Sequence, residues 1–198
     1  PDRIGAPPER EVAMSEGVPM TLQGVNPALP PVPVLPQGLR KVVARLTATA
    51  AGDYGAGDVV SNSATDTAGV AVELPNIARK AGDVVTVFRV YAICDEDSIT
   101  TRLRLHFFDQ APLAAEVEMD DNAPFTLTTL AGAEKSRGYI DLPAFADKGA
   151  FSEAQANQLQ EDFACHPFST TLFFVVESLD AEANETAGMK LRFEFYVG

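Results

Sequence analysis

Across residues 41–198 apolar and polar positions alternate in short runs, separated by clusters of Gly, Asp, Asn and Ala. This is the period-two signature of half-buried strands closed by turns. Val42–Thr47 opens the series, and Val70–Leu74 is a short strand closed by Pro75. Val84–Ile93 is long, apolar and β-branched, as a central strand is. Ile99–Phe108 alternates, with Leu103, Leu105 and Phe107 on one face and Arg102, Arg104 and His106 on the other. Phe125–Thr129, Tyr139–Leu142, Thr171–Ser178 and Met189–Val197 complete the set. The last run puts Leu191, Phe193 and Phe195 on one face, the pattern of a strand inside a sheet rather than at a bare edge. One short helix is expected, because Ser152 followed by Gln155 forms a capping box at the head of SEAQANQLQEDF. These elements, with no βαβ alternation, predict an all-β fold: an antiparallel β-sandwich, jelly-roll-like, with an extended N-terminal arm.

The arm is residues 1–40 and the sandwich residues 41–198. No aromatic residue precedes Tyr54, whereas most of the prolines lie before position 37. Val25 to Gly38 reads VNPALPPVPVLPQG, in which proline alternates with small aliphatics. Proline fixes φ, removes the amide donor and holds the preceding residue extended, so helix is excluded. Ordering such a segment costs roughly 1–2 kcal/mol per residue in backbone entropy. Without aromatics it cannot recover that by collapsing on itself. Either its own β domain or neighbouring chains must then hold it, and the expectation is neighbouring chains, with Val25, Leu29, Val32, Val34 and Leu35 inserted into grooves.

Charge narrows the partners. The net charge is −13, almost all of it in the body. An acidic body lacks the basic footprint that a phosphate backbone or an anionic membrane needs, so nucleic acid and membrane are not expected partners. No run approaches the ~18 apolar residues of a membrane span. The N-terminus shows no basic segment followed by an apolar one, and a start at Pro1 is compatible with removal of an initiator Met. Synthesis in a cytoplasm is the expectation. Cys94 and Cys165 fit no zinc or Cys-x-x-Cys pattern and read as free, partly buried thiols.

The candidate chemistry is sparse. Asp95-Glu96-Asp97 and Asp120-Asp121-Asn122 invite a calcium reading, but neither has EF-hand spacing, and both read as solvated turns, the first a hairpin. Cys165 and His166 are chain neighbours, which rarely face each other, so an activated thiolate is not expected. His106 and His166, the only histidines, lie in no triad context. Gly52, Gly55 and Gly57 read as turn glycines. No metal, cofactor or enzymatic activity is expected.

Several segments, in order, resemble a family of small virion structural proteins of tailed bacteriophages. They are Thr49–Val60, with Tyr54 ahead of Gly57-Asp58-Val59-Val60, and Ile77-Ala78-Arg79 with Gly82. They continue with Leu103–Pro112, similar to an L-x-L-H-L-F-x-x-x-P pattern, and Asp121-Asn122-Ala123-Pro124-Phe125. Gly138–Leu142 and Leu172–Val176 close the set. The resemblance covers roughly residues 45–198; the arm and the Asp95–Asp97 turn lie outside the shared pattern. It implies a virion β-sandwich, a capsid decoration or cement protein on the capsid surface, whose partners are the major capsid protein and neighbouring copies. A homo-oligomer, a trimer by analogy, goes with it. The alternative is a carbohydrate- or receptor-binding or adaptor module of a fibre, tail or neck. There Tyr54, Tyr91, Tyr139 and Tyr196 would be the candidates for stacking on sugar, as the chain has no Trp. Beside the resemblance, Asp121 and Asn122 are expected to cap a turn that sends Phe125 into the core.

Overall fold

The computed structural model describes residues 38–49, 53–63, 69–182 and 188–198. The chain divides into a unit of Pro1–Val34 and a unit of Leu35–Gly198, and everything described below belongs to the second.

Among the described residues ten strands form two antiparallel sheets. They are β1 (Arg40–Thr47), β2 (Val59–Val60), β3 (Val72–Leu74), β4 (Val84–Cys94), β5 (Leu103–Phe108), β6 (Ser136–Asp141), β7 (Ala146–Asp147), β8 (Ser152–Ala164), β9 (Leu172–Ser178) and β10 (Lys190–Val197). Sheet one runs β1-β10-β4-β8-β7, and sheet two runs β2-β9-β5-β6 with β3 also paired to β9. The expected central strand, β4, lies in the middle of sheet one, and β10 lies between β1 and β4.

Alternation along the strands builds the core between the sheets. Sheet two contributes Leu103, Leu105, Phe107, Leu172, Phe174 and Val176, all buried. Sheet one contributes Val85, Val87, Val90, Ala92, Leu191, Phe193 and Phe195. Five aromatic rings join the two layers. Phe107 lies 4.4 Å from Phe163, 5.9 Å from Phe174 and 6.0 Å from Phe195 between ring centres. Phe174 meets Phe193 edge-on at 5.3 Å and Phe195 at 5.6 Å. Such offset and edge contacts add to the stabilisation from burying the rings.

A second, smaller core lies on the outer face of sheet two. Val59, Phe108 and Val175 meet Val117 and Met119 there, with Phe125 and Phe173 packed alongside. The segment after β5 therefore covers that sheet, which explains why both faces of β9 are apolar. It ends in α1 (Leu130–Lys135), whose N-cap Thr129 accepts a hydrogen bond from the Gly132 N–H (3.2 Å). A Cβ at Gly132 would lie 2.4 Å from the Glu116 carbonyl oxygen, so helix and segment meet where only glycine fits.

Four expectations need correction. Residues 152–163 are not a helix but most of β8, the longest strand. The run satisfies both periods: Ser152, Gln155, Ala156, Leu159 and Phe163 fit a helical face, and Ser152, Ala154 and Ala156 fit an inward strand face. Pairing along β4, from Cys94↔Ser152 to Val84↔Ala164, decides for the strand. A bulge at Val87/Arg89, with Gln158 at φ +55°, returns Phe163 to the inside. Ser152 caps no helix; its Oγ accepts from the buried Ile99 N–H (3.2 Å).

Asp95–Asp97 is not a hairpin turn, because β4 and β5 belong to different sheets and the turn crosses between them. Asp95 Oδ1 accepts from the Lys190 N–H (2.6 Å). Phe125–Thr129 is not a strand; around it only Asp58↔Pro124 and Val117↔Leu127 form isolated bridges. Phe125 joins the outer cluster rather than the main core.

The inter-sheet rings set a quantitative expectation. Phe174→Ala is expected to cost ~3–5 kcal/mol, whereas Phe168→Ala, at a ring 89% exposed, should stay within ~0.5 kcal/mol. Urea unfolding midpoints of the two variants check this.

Candidate partner-binding surface

The outer face of sheet one is a grid of side chains in cross-strand register. One rung is Arg45–Arg192–Ile93–Glu153, the next Val43–Glu194–Tyr91–Gln155, and the third Lys41–Tyr196–Arg89–Asn157. Lys190 extends the grid beside Thr47. The alternation that buries Phe193 and Phe195 inside turns Arg192, Glu194 and Tyr196 outward.

The charges on this face are unequal. Its carboxylates are used internally. Glu194, 7% exposed, accepts from Arg192, from Lys41 (3.4 Å) and from the Tyr196 hydroxyl (3.3 Å). Glu153 accepts from the Tyr91 hydroxyl and pairs with Lys148 at 3.0 Å. That hydrogen bond, with burial and the negative charge behind it, pushes the Tyr91 phenol up to about 12. Lys190 pairs with Asp95 at 3.7 Å. Arg89 lies over the Tyr196 ring, 3.8 Å from its centre, a cation–π contact. Arg45 and Arg89 make no ion pair among the described residues. A chain of net charge −13 thus gathers Lys41, Arg45, Arg89, Lys190 and Arg192 on one face.

The outer face of sheet two is closed on itself. Arg102 grips Asp180 through Nε (2.9 Å) and Nη2 (2.7 Å), and Arg104 grips Asp141 at 2.6 and 2.9 Å while lying over the Tyr139 ring. His106 Nε2 lies 2.7 Å from Glu177 Oε2, and its ring stacks on Phe125 at 3.8 Å and 13°. Burial lowers its pKa, outweighing the raising effect of Glu177. Among the described residues no serine, threonine or cysteine hydrogen-bonds to this His106 ring. It fixes the overlying segment to the sheet.

The other candidates resolve structurally. Cys94 and Cys165 are unbonded to each other and buried. Burial, with Asp109 and Asp83 nearby, pushes the Cys165 thiol up to about 11, far from a reactive thiolate. Asp120 and Asp121 are buried rather than solvated, against the expectation of an open turn. Asp121 Oδ1 accepts from the Tyr54 hydroxyl and the Ser61 N–H, each 2.7 Å, which satisfies buried polar groups. Asn122 takes the left-handed conformation, φ +61°, that the turn requires. Among the described residues no three His, Cys, Asp or Glu are placed to hold a metal ion. Tyr54 is buried, and Tyr139 and Tyr196 each carry a guanidinium on the ring, which leaves Tyr91 alone of the four without such cover. Val25, Leu29, Val32, Val34 and Leu35 lie outside the described residues.

Sequence reasoning missed the sheet-one face. Its parts were visible as Lys41/Arg45, Arg89/Tyr91 and Arg192/Glu194/Tyr196, but those runs lie far apart in the chain and only strand order joins them. The signal was outward cations on three separate strands of an acidic protein. No protein-family model matches the chain, and comparison with curated proteins finds no relative.

The Arg102–Asp180 grip predicts a titration. Hydrogen bonds from Arg102 lower the Asp180 pKa to about 2. A depressed carboxylate stabilises the fold fully above its unfolded value, ~3.9, and that contribution disappears as pH falls through about 2. Carboxyl-detected NMR should place the Asp180 midpoint near 2, and Arg102→Ala should return it toward the ordinary aspartate range.

Proposed function

We propose that this chain is a virion structural protein of a tailed bacteriophage: a capsid decoration or cement protein that binds the lattice of the major capsid protein. It acts by adhesion and carries no catalytic step. The proline-rich arm anchors it, and many copies on a lattice convert weak single contacts into firm retention. Synthesis in the host cytoplasm and a final position on the capsid surface belong to the same reading, as does a homo-oligomeric state.

The observation that carries it is the outer face of sheet one. It spans four strands linked by cross-strand pairs, and it concentrates cations on an acidic chain. Opposite charge across an interface steers encounter and fixes register, so the face suits an acidic protein surface. Its carboxylates are occupied from within, and Arg45 and Arg89 stay available for a partner's.

Two further features support the reading. Strands β1, β10, β4 and β8 share one sheet while β2, β9, β5 and β6 share the other, so the chain passes repeatedly from sheet to sheet. That order fits a jelly roll, an architecture used by viral capsid and lectin domains. The segments similar to phage virion proteins include Leu103–Pro112 and Leu172–Val176, which hold the inter-sheet rings Phe107 and Phe174.

Two variants test it on purified capsid shells that lack this protein. Deleting residues 1–38 should leave a folded body whose occupancy of the shells falls at least about tenfold. Arg45→Glu with Arg89→Glu should slow association and flatten or reverse its dependence on ionic strength rather than unfold the sandwich. Full occupancy by both variants in a pelleting assay would contradict the proposal.

A further inference from the structure

The two edges of sheet one are finished differently. At one, β7 pairs with the first residues of β8, and a bulge with Gln158 at φ +55° breaks the rest of that strand. Short partners and bulges are the devices by which sheets blunt an edge. At the other, β1 pairs with β10 alone, in unbroken register from Arg40↔Val197 to Thr47↔Lys190. Just beyond, the Ala48 N–H donates to the Met189 carbonyl (2.8 Å) in that same register. Backbone groups alternate sides along a strand. Those of Arg40, Val42, Ala44 and Leu46 therefore face β10. Those of Lys41, Val43, Arg45 and Thr47 face outward, with no partner among the described residues.

This edge is guarded by charge instead. Lys41 and Arg45 are both exposed on the outer face of β1, on either side of half-buried Val43. Lys41 lies 3.4 Å from Glu194, while Arg45 makes no ion pair among the described residues. Such a guard discriminates between partners. Two β1 edges of this chain, laid antiparallel over more than half their length, set cation against cation directly or diagonally. Like charges so placed repel, so β1 of a second copy is turned away. A strand with carboxylates opposite Lys41 and Arg45 gains cross-strand ion pairs as well as the ladder bonds. At the far end of the edge, Leu46 and Thr47 face Val70 and Val72 across a cleft of about 410 Å³, which leaves space beside the last rung.

We infer that the edge of β1 takes an added strand from an acidic partner protein, with carboxylates four residues apart on that strand's outer face. The outward N–H and C=O groups alternate as a peptide backbone does, and the cations select for acid. The spacing is that of Lys41 and Arg45 themselves, because an antiparallel ladder matches residue to residue. The residue opposite Val43 lies between the two carboxylates on the same face. Those opposite Val42 and Ala44 lie on the inner face and are apolar, as that side of the sheet is. The inference rests on the reading of the sheet-one face as the contact with an acidic partner, and it gives that contact its backbone geometry.

The test uses the full chain and the peptide Thr-Glu-Val-Thr-Val-Glu-Thr, with binding followed by calorimetry and amide exchange followed at Lys41, Val43, Arg45 and Thr47. The peptide should bind saturably and slow those four amides. N-methylation of its two Glu residues and central Thr removes the N–H groups that face β1 and should weaken binding at least about tenfold. N-methylation of its two Val residues, whose N–H groups face away, should retain binding. Arg45→Glu should weaken binding about tenfold and favour a peptide with Lys in place of Glu. Absence of saturable binding, fast amides in the bound state, or equal binding by the two N-methylated peptides would overturn strand addition. Equal binding of the Lys peptide to the unaltered chain would overturn the acidic partner. Slow amides before any peptide is added would show the edge already covered by this chain and overturn it too. None of these readouts uses capsid shells, so failure of strand addition is distinguishable from failure of the capsid reading.

Discussion

The contact between Phe107 and Phe174 on one sheet and Phe163, Phe193 and Phe195 on the other holds the molecule together. Two antiparallel sheets with an apolar face each have to bury those faces against each other. The rings do this at the centre, and the smaller Val, Leu and Ala side chains fill the space around them. Once the inner faces are committed, strand alternation dictates what the outer faces carry. The cationic grid on sheet one is the reverse side of the same residues' neighbours: Phe193 and Phe195 in, Arg192, Glu194 and Tyr196 out.

The two outer faces then diverge for a structural reason. Sheet two presents apolar Phe108, Phe173 and Val175 outward, and these need cover. The segment from Asp109 to Lys135 supplies it, braced internally by the Lys135–Glu116 pair and fastened to the sheet by the His106–Phe125 stack and the partly buried Asp109–Arg137 pair. Sheet one presents polar and charged groups that need none. One face is thus covered by a segment of the fold, and the other carries no such cover among the described residues; the adhesive role proposed above assigns that second face to a partner.

Much of the fold was legible in the sequence. The runs at Val84–Ile93, Leu103–Phe107 and Leu191–Phe195 follow one period and lie where that period puts them. Ser152–Ala164 misled because its small residues satisfy two periods at once, and only the long-range ladder to β4 separates them. Asp121 was legible as a turn residue but not as a buried acceptor, since its donors Tyr54 and Ser61 lie far away in the chain. The outer face of sheet one, the candidate partner surface, was the least legible feature. It exists only after β1, β10, β4 and β8 are laid side by side, and no local pattern encodes that order.

The central claim is that this sandwich is an adhesive component of a virion head, and a cryo-EM reconstruction of the source particle tests it most directly. The account predicts density for the sandwich on the capsid exterior, with the outer face of sheet one turned toward coat subunits. Density at the tail or on a fibre, or a sandwich docked with that face open to solvent, would contradict it.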